Sequence, residues 1–535
     1  GQKFDAAPIM REQMKAIFAD PALGKYTHDA KISYQLLHRC GIKLSGVTFD
    51  SLVASYLLNP ASIHSLDQIA AAQVQVRVPS WEDLLGKGSK ALAPSELTES
   101  QIAAFAAARA GVLLRLKETL LAELDQLNLI PLFNQVELPL IEVLAAMEEE
   151  GIAVDIEILK KMNTEIGAML QAVEGEVYHL AGEEFNLNSP KQLSVILFEK
   201  LGLPVIKRTK TGYSTDAEVL DKLAPDHPIV KLILEYRQLM KLKSTYIDGL
   251  ISLVDTSTGK IHTTFNQTVT TTGRLSSTEP NLQNIPIRLE LGRRLRRAFI
   301  PNRPGDLILT ADYSQIELRV LAHISQDPNL LESFRQGQDI HSRTAAEVFG
   351  VPLKDVTREM RDRAKAVNFG IVYGISDYGL SRDLDVSRRE AGEYINNYFA
   401  RYGGVKKYMD ETIATAKERG FVTTLMERRR YLPDIKSRNY TLRSFAERTA
   451  INTPIQGTAA DIIKVAMVKV FGQIKERDLD TRLLLQVHDE LIFTVPEGEL
   501  EEVKSLVRES MEGAASLDVP LRVDLKVGES WYGVK

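Results

Sequence analysis

The order of hydrophobic and polar residues changes along the chain, and each change predicts a different kind of structure. Short β-prone runs alternate with helical ones over about the first 120 residues, which is typical of a compact α/β domain. From about residue 119 to 255 the pattern is almost wholly helical. Strand-like runs return after residue 258, a second helical block covers about 326 to 420, and the last 110 residues combine a helix, a hairpin and a terminal strand.

Two helix starts stand out in the first helical block. Ser189–Gln192 reads as a capping box with proline at the first helical position, and Pro228 follows Asp226 in the same role. A helical arm or bundle is therefore expected there. The loop Lys207–Thr215 between them is basic and rich in hydroxyl groups, which suits either contact with a phosphate backbone or a solvated connection.

Composition narrows the class of protein. With 535 residues, 44% hydrophobic and 26% charged, the chain predicts a globular protein of several domains. A net charge of -5 gives no general attraction to a polyanion, so a nucleic-acid site must be local. The single cysteine, Cys40, is expected to be buried in a protein of a reducing compartment. No membrane span or signal peptide is expected, and the start at Gly1 suggests a fragment.

The first candidate for chemistry is the segment Leu307–Arg319 (LILTADYSQIELR). An apolar strand ends at Asp312, and Ser314 with Glu317 predicts a capping box that starts a helix directly afterwards. Such a carboxylate is held at a rigid strand end. The same pattern also suits an ordinary turn or cap residue.

The second candidate is Leu483–Val495 (LLLQVHDELIFTV), in which two β-prone runs flank Asp489 and Glu490. Carboxylates between hydrophobic strands need compensation by cations or donors. Mg²⁺ binds carboxylate oxygens and substrate phosphates together. Two acids from separate strands could hold a metal pair about 3.5 to 4 Å apart.

The third candidate is a helical stripe. Arg361, Lys365, Phe369 and Tyr373 recur every four residues, with cations at one end and aromatics at the other. This order suits a nucleoside triphosphate, whose phosphates would meet the cations and whose base or sugar would meet the rings. A mixed stripe on a surface helix is the alternative.

These segments, Asp312–Arg319, Arg361–Gly374 and Val487–Glu490, resemble motifs A, B and C of family A DNA polymerases. The likeness covers essentially residues 119 to 535 and includes the further segments Phe185–Leu193, Thr272–Ser276, Pro280–Pro286, Asp339–His341 and Pro454–Asp461.

The resemblance implies a multidomain α/β fold. It combines a right-hand polymerase, with a palm built on an antiparallel sheet and helical fingers and thumb, with an N-terminal α/β RNase H-like domain of the exonuclease type. The implied boundaries are 1–118 for the exonuclease-like domain and 119–535 for the polymerase domain. Within the latter we expect the thumb at about 150–255, the palm at about 119–149, 256–324 and 421–535, and the fingers at about 325–420.

The implied chemistry is primer extension with dNTPs by two metal ions, Mg²⁺ with Mn²⁺ as a substitute. Asp312, Asp489 and the carbonyl of Tyr313 would bind the metals, with Glu490 as a further catalytic carboxylate. Lys365 would stabilise or protonate the leaving pyrophosphate, and Glu317 would exclude a 2′-hydroxyl. The implied dNTP site comprises Gln315, Ile316, Glu317, His341, Arg361, Lys365, Phe369 and Tyr373.

The implied partner is primer-template DNA, and the protein is expected to be a monomer. The implied location is the bacterial cytoplasm, in association with the nucleoid, and no membrane is implied as a partner. The implied DNA contacts are Arg274, Asn281, Gln283, Asn284, Arg448, Asn452, Gln456 and His488. Local charge agrees with this, because residues 271 to 300 carry six arginines (274, 288, 293, 294, 296 and 297) against two acids. A solvated basic surface is the alternative for Arg293–Arg297.

The sequence departs from the family pattern in two places. Residues 1–118 lack the D-x-E of working exonucleases, Ser33 stands where an Asp is expected, and Arg109 stands where a metal-binding Asp is expected. An arginine there would repel the ion, so proofreading is predicted to be absent. The second departure is Met426-Glu427, where relatives usually have glycine at the second position, so the local turn is in doubt.

Three other functions share part of this set of residues. A single-subunit RNA polymerase shares the Lys365 and Tyr373 pattern but should lack a bulky acid at position 317. A nuclease would not need the stripe from Arg361 to Tyr373. A noncatalytic DNA-binding module would have no use for Asp312, Asp489 and Lys365 together.

Overall fold

The structure is a computed structural model that describes residues 8–210, 212–286 and 290–534. It divides into two compact units, each built from several stretches of chain. The larger unit comprises Gly1–Glu150, Phe265–Ser277 and Thr310–Lys526, and the smaller comprises Gly151–Thr264, Thr278–Leu309 and Val527–Lys535.

The helices and strands follow the predicted order. The N-terminal stretch contains α1 (Pro8–Ala19), β1 (Lys25–Thr27), α2 (Ala30–Arg39), β2 (Val47–Asp50), α3 (Ser51–Leu58), α4 (Leu66–Val74), α5 (Trp81–Leu85), α6 (Glu99–Gln126), α7 (Ile130–Leu132) and α8 (Leu138–Glu150). The middle stretch contains β3 (Ile152–Val154), α9 (Ile156–Ala181), α10 (Pro190–Ser194), β4 (Arg208–Thr209), β5 (Gly212–Tyr213), α11 (Ala217–Leu223), α12 (Pro228–Lys241), α13 (Gly249–Leu253), β6 (Lys260–Ile261), β7 (Thr264–Asn266), β8 (Ser276–Thr278), α14 (Glu290–Leu295) and β9 (Phe299–Ile300).

The C-terminal stretch carries the long helices and the largest sheet. It contains β10 (Asp306–Tyr313), α15 (Ile316–Ser325), α16 (Pro328–Arg335), α17 (Ile340–Phe349), α18 (Arg358–Val372), α19 (Asp377–Leu384), α20 (Arg388–Arg401), α21 (Gly403–Arg419), β11 (Phe421–Thr423), β12 (Arg429–Tyr431), α22 (Tyr440–Glu476), β13 (Arg482–Val487), β14 (Glu490–Pro496), α23 (Leu500–Glu512) and β15 (Val523–Gly528).

In the larger unit, β13, β14, β10 and β15 form a four-stranded sheet in that order. Strands β13 and β14 are antiparallel, with Val487 opposite Glu490. The apolar residues of the two strands, Leu483–Leu485, Val487, Leu491–Phe493 and Val495, are buried together with Ala311 of β10, so hydrophobic burial holds this sheet together. The predicted hairpin and the strand that ends near Asp312 are both present.

The N-terminal stretch of the larger unit has its own core. The stripe Val112, Leu116, Leu120 and Leu124 of α6 repeats every four residues and packs in one cluster with Phe49. This spacing places the four side chains on one face of the helix. The short strands β1 and β2 pair in parallel beside it, so this stretch mixes helix and strand as predicted.

In the smaller unit, α9 buries a stripe from Leu159 to Val177, and β3 is the central strand between β6 and β9. Both predicted helix starts are confirmed, because Ser189 accepts a hydrogen bond from the Gln192 amide and Pro228 opens α12. The predicted capping box is only half formed, since the Gln192 side chain accepts from the amide of Asn186. The basic loop forms the hairpin β4–β5, where Lys207 pairs with Asp216 at 2.8 Å. Thr211, within that loop, lies outside the described residues.

Two local predictions were wrong. Cys40 is exposed, because it caps the end of α2 at the turn into Gly41 instead of facing the core. The capping box of Ser314 and Glu317 does not form. Gln315 is the residue before α15, in the left-handed conformation with φ 56°, and its side chain makes no capping hydrogen bond.

The continuous helical segment Ile130–Glu150 is long and apolar enough, by length and composition alone, to cross a membrane, and it is the described segment that meets this test. The sequence predicts no membrane span. More than half of its apolar stretch is buried inside the protein. The same segment contains Glu137, which is buried and paired with Lys464. These features are typical of a core helix.

The turn between β11 and β12 keeps its form although glycine is missing. Glu427 takes φ 66°, and its amide donates a 3.1 Å hydrogen bond to the carbonyl of Thr424. A side chain with a Cβ strains this region by about 1–2 kcal/mol. Glu427 therefore takes the left-handed conformation at a cost in strain, and the turn still closes.

We expect Glu427→Gly to stabilise the protein by up to about 1 kcal/mol, because relief of strain exceeds the entropy that glycine adds to the unfolded chain. Urea unfolding would measure this. Glu411→Gly in the interior of α21 is the matched control and should destabilise by about 1 kcal/mol. Destabilisation by both substitutions would contradict the assignment of strain to Glu427.

Candidate active site

Asp312 lies at the end of β10, where a buried strand reaches solvent. Its neighbours Ala311 and Tyr313 are buried, whereas Asp312 itself is exposed. The hydroxyl of Tyr313 donates a 2.6 Å hydrogen bond to the carbonyl of Met511, which fixes the strand end. The carboxylate is therefore presented from a rigid backbone.

Asp489 is brought beside it by the hairpin. The two-residue turn between β13 and β14 consists of His488, with φ 54°, and Asp489. The amide of Tyr313 donates a 3.1 Å hydrogen bond to the carbonyl of Asp489, which ties the turn to the end of β10. Two segments 177 positions apart thus place Asp312 and Asp489 in one cleft.

The environment of Asp489 disfavours its charge. Burial raises the pKa of Asp489 to about 6 against the pull of Arg274, and the negative charges of Glu317 and Asp312 raise it further. A divalent cation between the carboxylates would offset this repulsion.

The donor set fits a cation that shares its ligands with a substrate. Among the described residues no group of three or more His, Cys, Asp or Glu side chains could hold a metal alone. Mg²⁺ commonly takes one or two carboxylates and completes its shell with water and substrate phosphates. Asp312 and Asp489 therefore fit such an ion when a phosphate ligand is present.

Glu317 is held from both sides in the same cleft. Arg274 donates through Nη2 to Oε1 at 2.6 Å, and the Tyr373 hydroxyl donates to Oε2 at 3.2 Å. Burial, followed by the charge of Glu317, raises the pKa of Tyr373 to about 12, so its hydroxyl keeps the proton it donates. The side chain of Glu317 is buried and has a fixed orientation.

The predicted stripe lies on α18. Arg361, Lys365 and Phe369 belong to the helix, Tyr373 caps its end, and all four line the cleft. Gly374 follows with φ 65°, in contact with the side chain of Arg448. The predicted helical arrangement of the stripe is therefore confirmed, and its role in binding a nucleotide stays a prediction.

Arg361 is oriented by an acid at the start of a neighbouring helix. Its Nε lies 2.6 Å from Oδ2 of Asp339, the residue that caps α17. Although partial burial opposes it, the hydrogen bond from Arg361 lowers the pKa of Asp339. The guanidinium is thus fixed at the rim of the cleft.

His341 is buried and held as a neutral imidazole. Thr344 donates to Oδ1 of Asn368, which leaves the Asn368 amide nitrogen to donate to Nδ1 of His341 at 3.0 Å. This arrangement places the imidazole proton on Nε2. Burial lowers the pKa of His341 to about 4, with smaller opposing and supporting effects from Asp339 and Arg361.

A titration by NMR should therefore give His341 a midpoint near pH 4. The folded protein favours the neutral form, so its stability should be full above the ordinary pKa of 6.5 and fall as the pH drops towards 4. His341→Gln cannot ionise and should lose less stability over this range. A midpoint between pH 6 and 7 would contradict the prediction.

The cleft has a volume of about 490 Å³ and brings together every residue predicted to bind the nucleotide. Its lining is Arg274, Asp312, Tyr313, Gln315, Ile316, Glu317, His341, Arg361, Lys365, Phe369, Tyr373, His488 and Asp489. Glu490 is not in that lining; it is the buried first residue of β14.

The predicted DNA contacts fall into two sets, one in the larger unit and one in the smaller unit. Arg274 and His488 line the cleft, whereas Arg448, Asn452 and Gln456 lie along one face of α22 in the same unit. The buried Nδ2 of Asn452 has no hydrogen-bond partner among the described residues.

The second set lies in the smaller unit. Asn281 caps the short 3₁₀ helix Leu282–Asn284, which also carries Gln283. Of the basic stretch, Arg294 pairs with Glu165 at 2.7 Å and Arg293 pairs with Glu290. Arg288 lies outside the described residues.

Sequence reasoning missed a buried ion cluster, which we define as Glu137, Arg428, Asp461 and Lys464. Arg428 bonds both Glu137 and Asp461, the latter through Nε at 2.8 Å, and Lys464 donates to Glu137 at 2.8 Å. All four side chains are at most 5% exposed. The sequence shows these residues only as charged positions inside apolar runs. That pattern indicates buried charges but does not reveal which residues pair.

Known proteins match both parts of the chain. The sequence profile of DNA polymerase family A matches residues 156–533, and that of the DNA polymerase I ribonuclease H-like domain matches residues 5–116. The chain is 53% identical to DNA polymerase I of Bacillus subtilis over 96% of its length, and 54% identical to that of Geobacillus stearothermophilus over 97%. It spans 58% and 59% of the length of these relatives.

A solved structure agrees with this. The POL domain of Pol1 from M. smegmatis, in complex with DNA primer-template and dNTP, matches with a TM-score of 0.91 and 42% identity, over 99% of this chain and 90% of that one. These matches confirm the predicted fold class, a family A polymerase fold with an N-terminal RNase H-like domain. The chain belongs to DNA polymerase family A.

Proposed function

We propose that the chain is a template-directed DNA polymerase that extends a primer 3′-hydroxyl with dNTPs and releases pyrophosphate. The observation that carries the proposal is the single cleft in which Asp312 and Asp489 lie together with the stripe of α18. Carboxylates for cations and a cationic, aromatic helix face are the two groups that phosphoryl transfer from a nucleotide requires. The related solved structure contains DNA primer-template and dNTP, which supports the same substrates here.

Two Mg²⁺ ions, or Mn²⁺ in their place, would be held by Asp312, Asp489 and the carbonyl of Tyr313. When bound, such a pair activates the attacking hydroxyl and stabilises the leaving oxygen. The raised pKa of Asp489 supports this assignment, since a carboxylate in that position needs a counter-charge. Glu490, the residue after Asp489 and the first residue of β14, is the proposed further catalytic carboxylate.

The helix stripe would bind the triphosphate. Lys365 is exposed inside the cleft and would stabilise or protonate the leaving pyrophosphate. Arg361 and His341 would hold the β- and γ-phosphates, His341 as a donor through Nε2 because its Nδ1 accepts from Asn368. Arg361 is bound to Asp339, so a phosphate would compete with that carboxylate.

Selection of deoxyribose over ribose would depend on Glu317. Both of its carboxylate oxygens are hydrogen-bonded, so the side chain is fixed and would exclude a 2′-hydroxyl sterically. Phe369 would discriminate against nucleotides that lack a 3′-hydroxyl. Tyr373 would occupy or vacate the position of the templating base.

The DNA partner would be bound as primer-template by a monomer in the bacterial cytoplasm, in association with the nucleoid. The contacts would be those of the α22 face and the 3₁₀ helix described above. We assign residues 325–420 to fingers, about 150–255 to the thumb, the remaining polymerase segments to the palm, and 1–118 to the exonuclease-like domain.

We propose that the exonuclease-like domain is inactive. The Arg109 guanidinium lies 5.0 Å from the centre of the Phe105 ring and donates to the carbonyl of Pro79, so a cation occupies the expected acid position. Asp50 is buried and accepts hydrogen bonds from the amides of Leu52 and Ala30, which gives it the role of a helix cap.

A single-subunit RNA polymerase is the alternative. The buried acid at position 317 argues against it, because a carboxylate fixed by Arg274 and Tyr373 leaves little room for a 2′-hydroxyl.

Extension of a labelled primer on a DNA template with Mg²⁺ tests the proposal. The protein should add dNTPs according to the template, discriminate against NTPs, and leave no shortened primer. Shortened primers would refute the inactive exonuclease. Equal use of NTPs would favour the RNA polymerase, and no extension would refute the polymerase itself.

A further inference from the structure

A path of hydrogen bonds joins the N-terminal domain to the cleft through the loop Phe265–Ser277. The buried hydroxyl of Tyr56, on α3, donates to the carbonyl of Thr270 at 2.7 Å. The Thr270 hydroxyl donates to the carbonyl of Arg274 at 2.5 Å, and Arg274 donates to Glu317 at 2.6 Å. Three hydrogen bonds therefore connect Tyr56 with Glu317.

The loop takes its position from partners outside it. At one end, the Phe265 amide donates to Glu148 at 2.7 Å and its carbonyl accepts from Lys31 at 2.6 Å. Near the other end, Gly273 has φ 87° and lies so close to Arg428 that a Cβ would stand 2.6 Å from Nε. The loop is thus anchored by groups of the N-terminal stretch and of the β11–β12 hairpin.

The last link of the path is sensitive to small displacements. Glu317 uses Oε1 for Arg274 and Oε2 for Tyr373, so a shift of Arg274 alters one of the two bonds that fix the carboxylate. A selective site needs its groups within about 0.5 Å of their working positions. Hydrogen bonds that fix Arg274 therefore also fix Glu317.

We propose that Tyr56 of the N-terminal domain is a positioning residue for sugar selection at Glu317, acting through Thr270 and Arg274. The inference rests on the proposed function. It gives the exonuclease-like domain a part in the selectivity of the polymerase, through its own buried hydroxyl. Tyr56 itself is not among the residues that line the nucleotide cleft.

The test is single-nucleotide incorporation by the full chain with Tyr56→Phe, which removes one hydroxyl and keeps the ring. The kcat for dNTP should stay within about twofold, whereas the ratio of kcat/KM for dNTP over the matching rNTP should fall about fivefold, the effect of one net hydrogen bond. Glu317→Ala sets the upper limit of this loss. Thr270→Val, which breaks the next link, should give a similar loss without touching α3.

The matched control is Tyr26→Phe, which removes a hydroxyl bonded to Lys117 inside the same domain. It should leave the ratio unchanged at a similar loss of thermal stability. The double variant of Tyr56→Phe and Thr270→Val should lose no more than either alone, because both lie on one path. An unchanged ratio in Tyr56→Phe and Thr270→Val, or an equal loss in Tyr26→Phe, would overturn the inference. A wild type that fails to extend the primer would instead refute the proposed function.

Discussion

Replacing Asp312 by asparagine is expected to lower the rate of nucleotide addition at least about 10³-fold, equivalent to about 4 kcal/mol of transition-state stabilisation. Asp312 is exposed at the end of an otherwise buried strand, and with Asp489 it supplies the carboxylates that suit a divalent cation. Glu317, the other acid in the cleft, is already bound by Arg274 and Tyr373. It cannot replace the lost charge without breaking those bonds. Single-turnover extension of a labelled primer with Mg²⁺ measures the effect.

The loss should be confined to chemistry. Binding of primer-template DNA, followed by fluorescence anisotropy, should change less than about threefold, since one carboxylate contributes little to phosphate contacts. Asp306→Asn, at the opposite end of the same strand β10, is the matched control and should retain the wild-type rate. A rate for Asp312→Asn above a tenth of the wild-type rate would show that the metal-binding assignment is wrong.

Replacing Glu137 by glutamine is expected to lower the free energy of unfolding by about 3–5 kcal/mol, because it leaves buried cations without their counter-charge. Glu137 accepts hydrogen bonds from Arg428, Lys464 and Gln267, and it is fully buried. Within the buried ion cluster, Asp461 alone would remain to balance the two cations. Urea unfolding, followed for the transition that includes this unit, measures the loss.

The control is Glu142→Gln on α8, in the same continuous helical segment Ile130–Glu150 as Glu137. Glu142 pairs with Lys475 at 2.6 Å, but both side chains are exposed to solvent, so its loss should cost about 1 kcal/mol or less. Equal losses in the two variants would contradict the role of the buried ion cluster.

The pH dependence gives a second check. Burial alone would raise the pKa of Glu137, but Lys464 and Arg428 hold it down at about 2. The stability from this carboxylate is therefore full above its unfolded value of 4.5 and is lost as the pH falls towards 2. The gap between wild type and Glu137→Gln should narrow over the same range.

Part of the lining of the cleft could be predicted from short segments with strong local patterns, whereas the roles of Arg274, Glu317, His341 and His488 came only from the resemblance to family A DNA polymerases. Asp312 ends an apolar strand, Asp489 interrupts a hairpin without the usual turn residues, and the residues from Arg361 to Tyr373 follow helical spacing. Each pattern is local, so each could be identified without knowledge of the packing. The order of strands and helices followed from the same periodicities.

What could not be predicted depends on contacts between distant segments. Arg428 and Glu137 are 291 positions apart, and no sequence feature of either segment identifies the other as its partner. The bond of Tyr56 to Thr270 spans 214 positions for the same reason. The exposure of Cys40 was missed because a helix end can face either solvent or core, and sequence alone did not decide between them.

The interleaving of the two units has a consequence during translation. The first 150 residues belong to the same unit as Thr310–Lys526. They have a core of their own, but the buried Glu137 among them has to wait for Arg428 and Lys464 before its charge finds these partners. At about 5–20 residues per second the wait lasts tens of seconds. The smaller unit waits as well, because Trp531 packs on Phe299 and under Arg296. A ribosome that stops before residue 523 would release a chain without the edge strand of the main sheet and without this tryptophan. Such a product should be a substrate for chaperones and proteases.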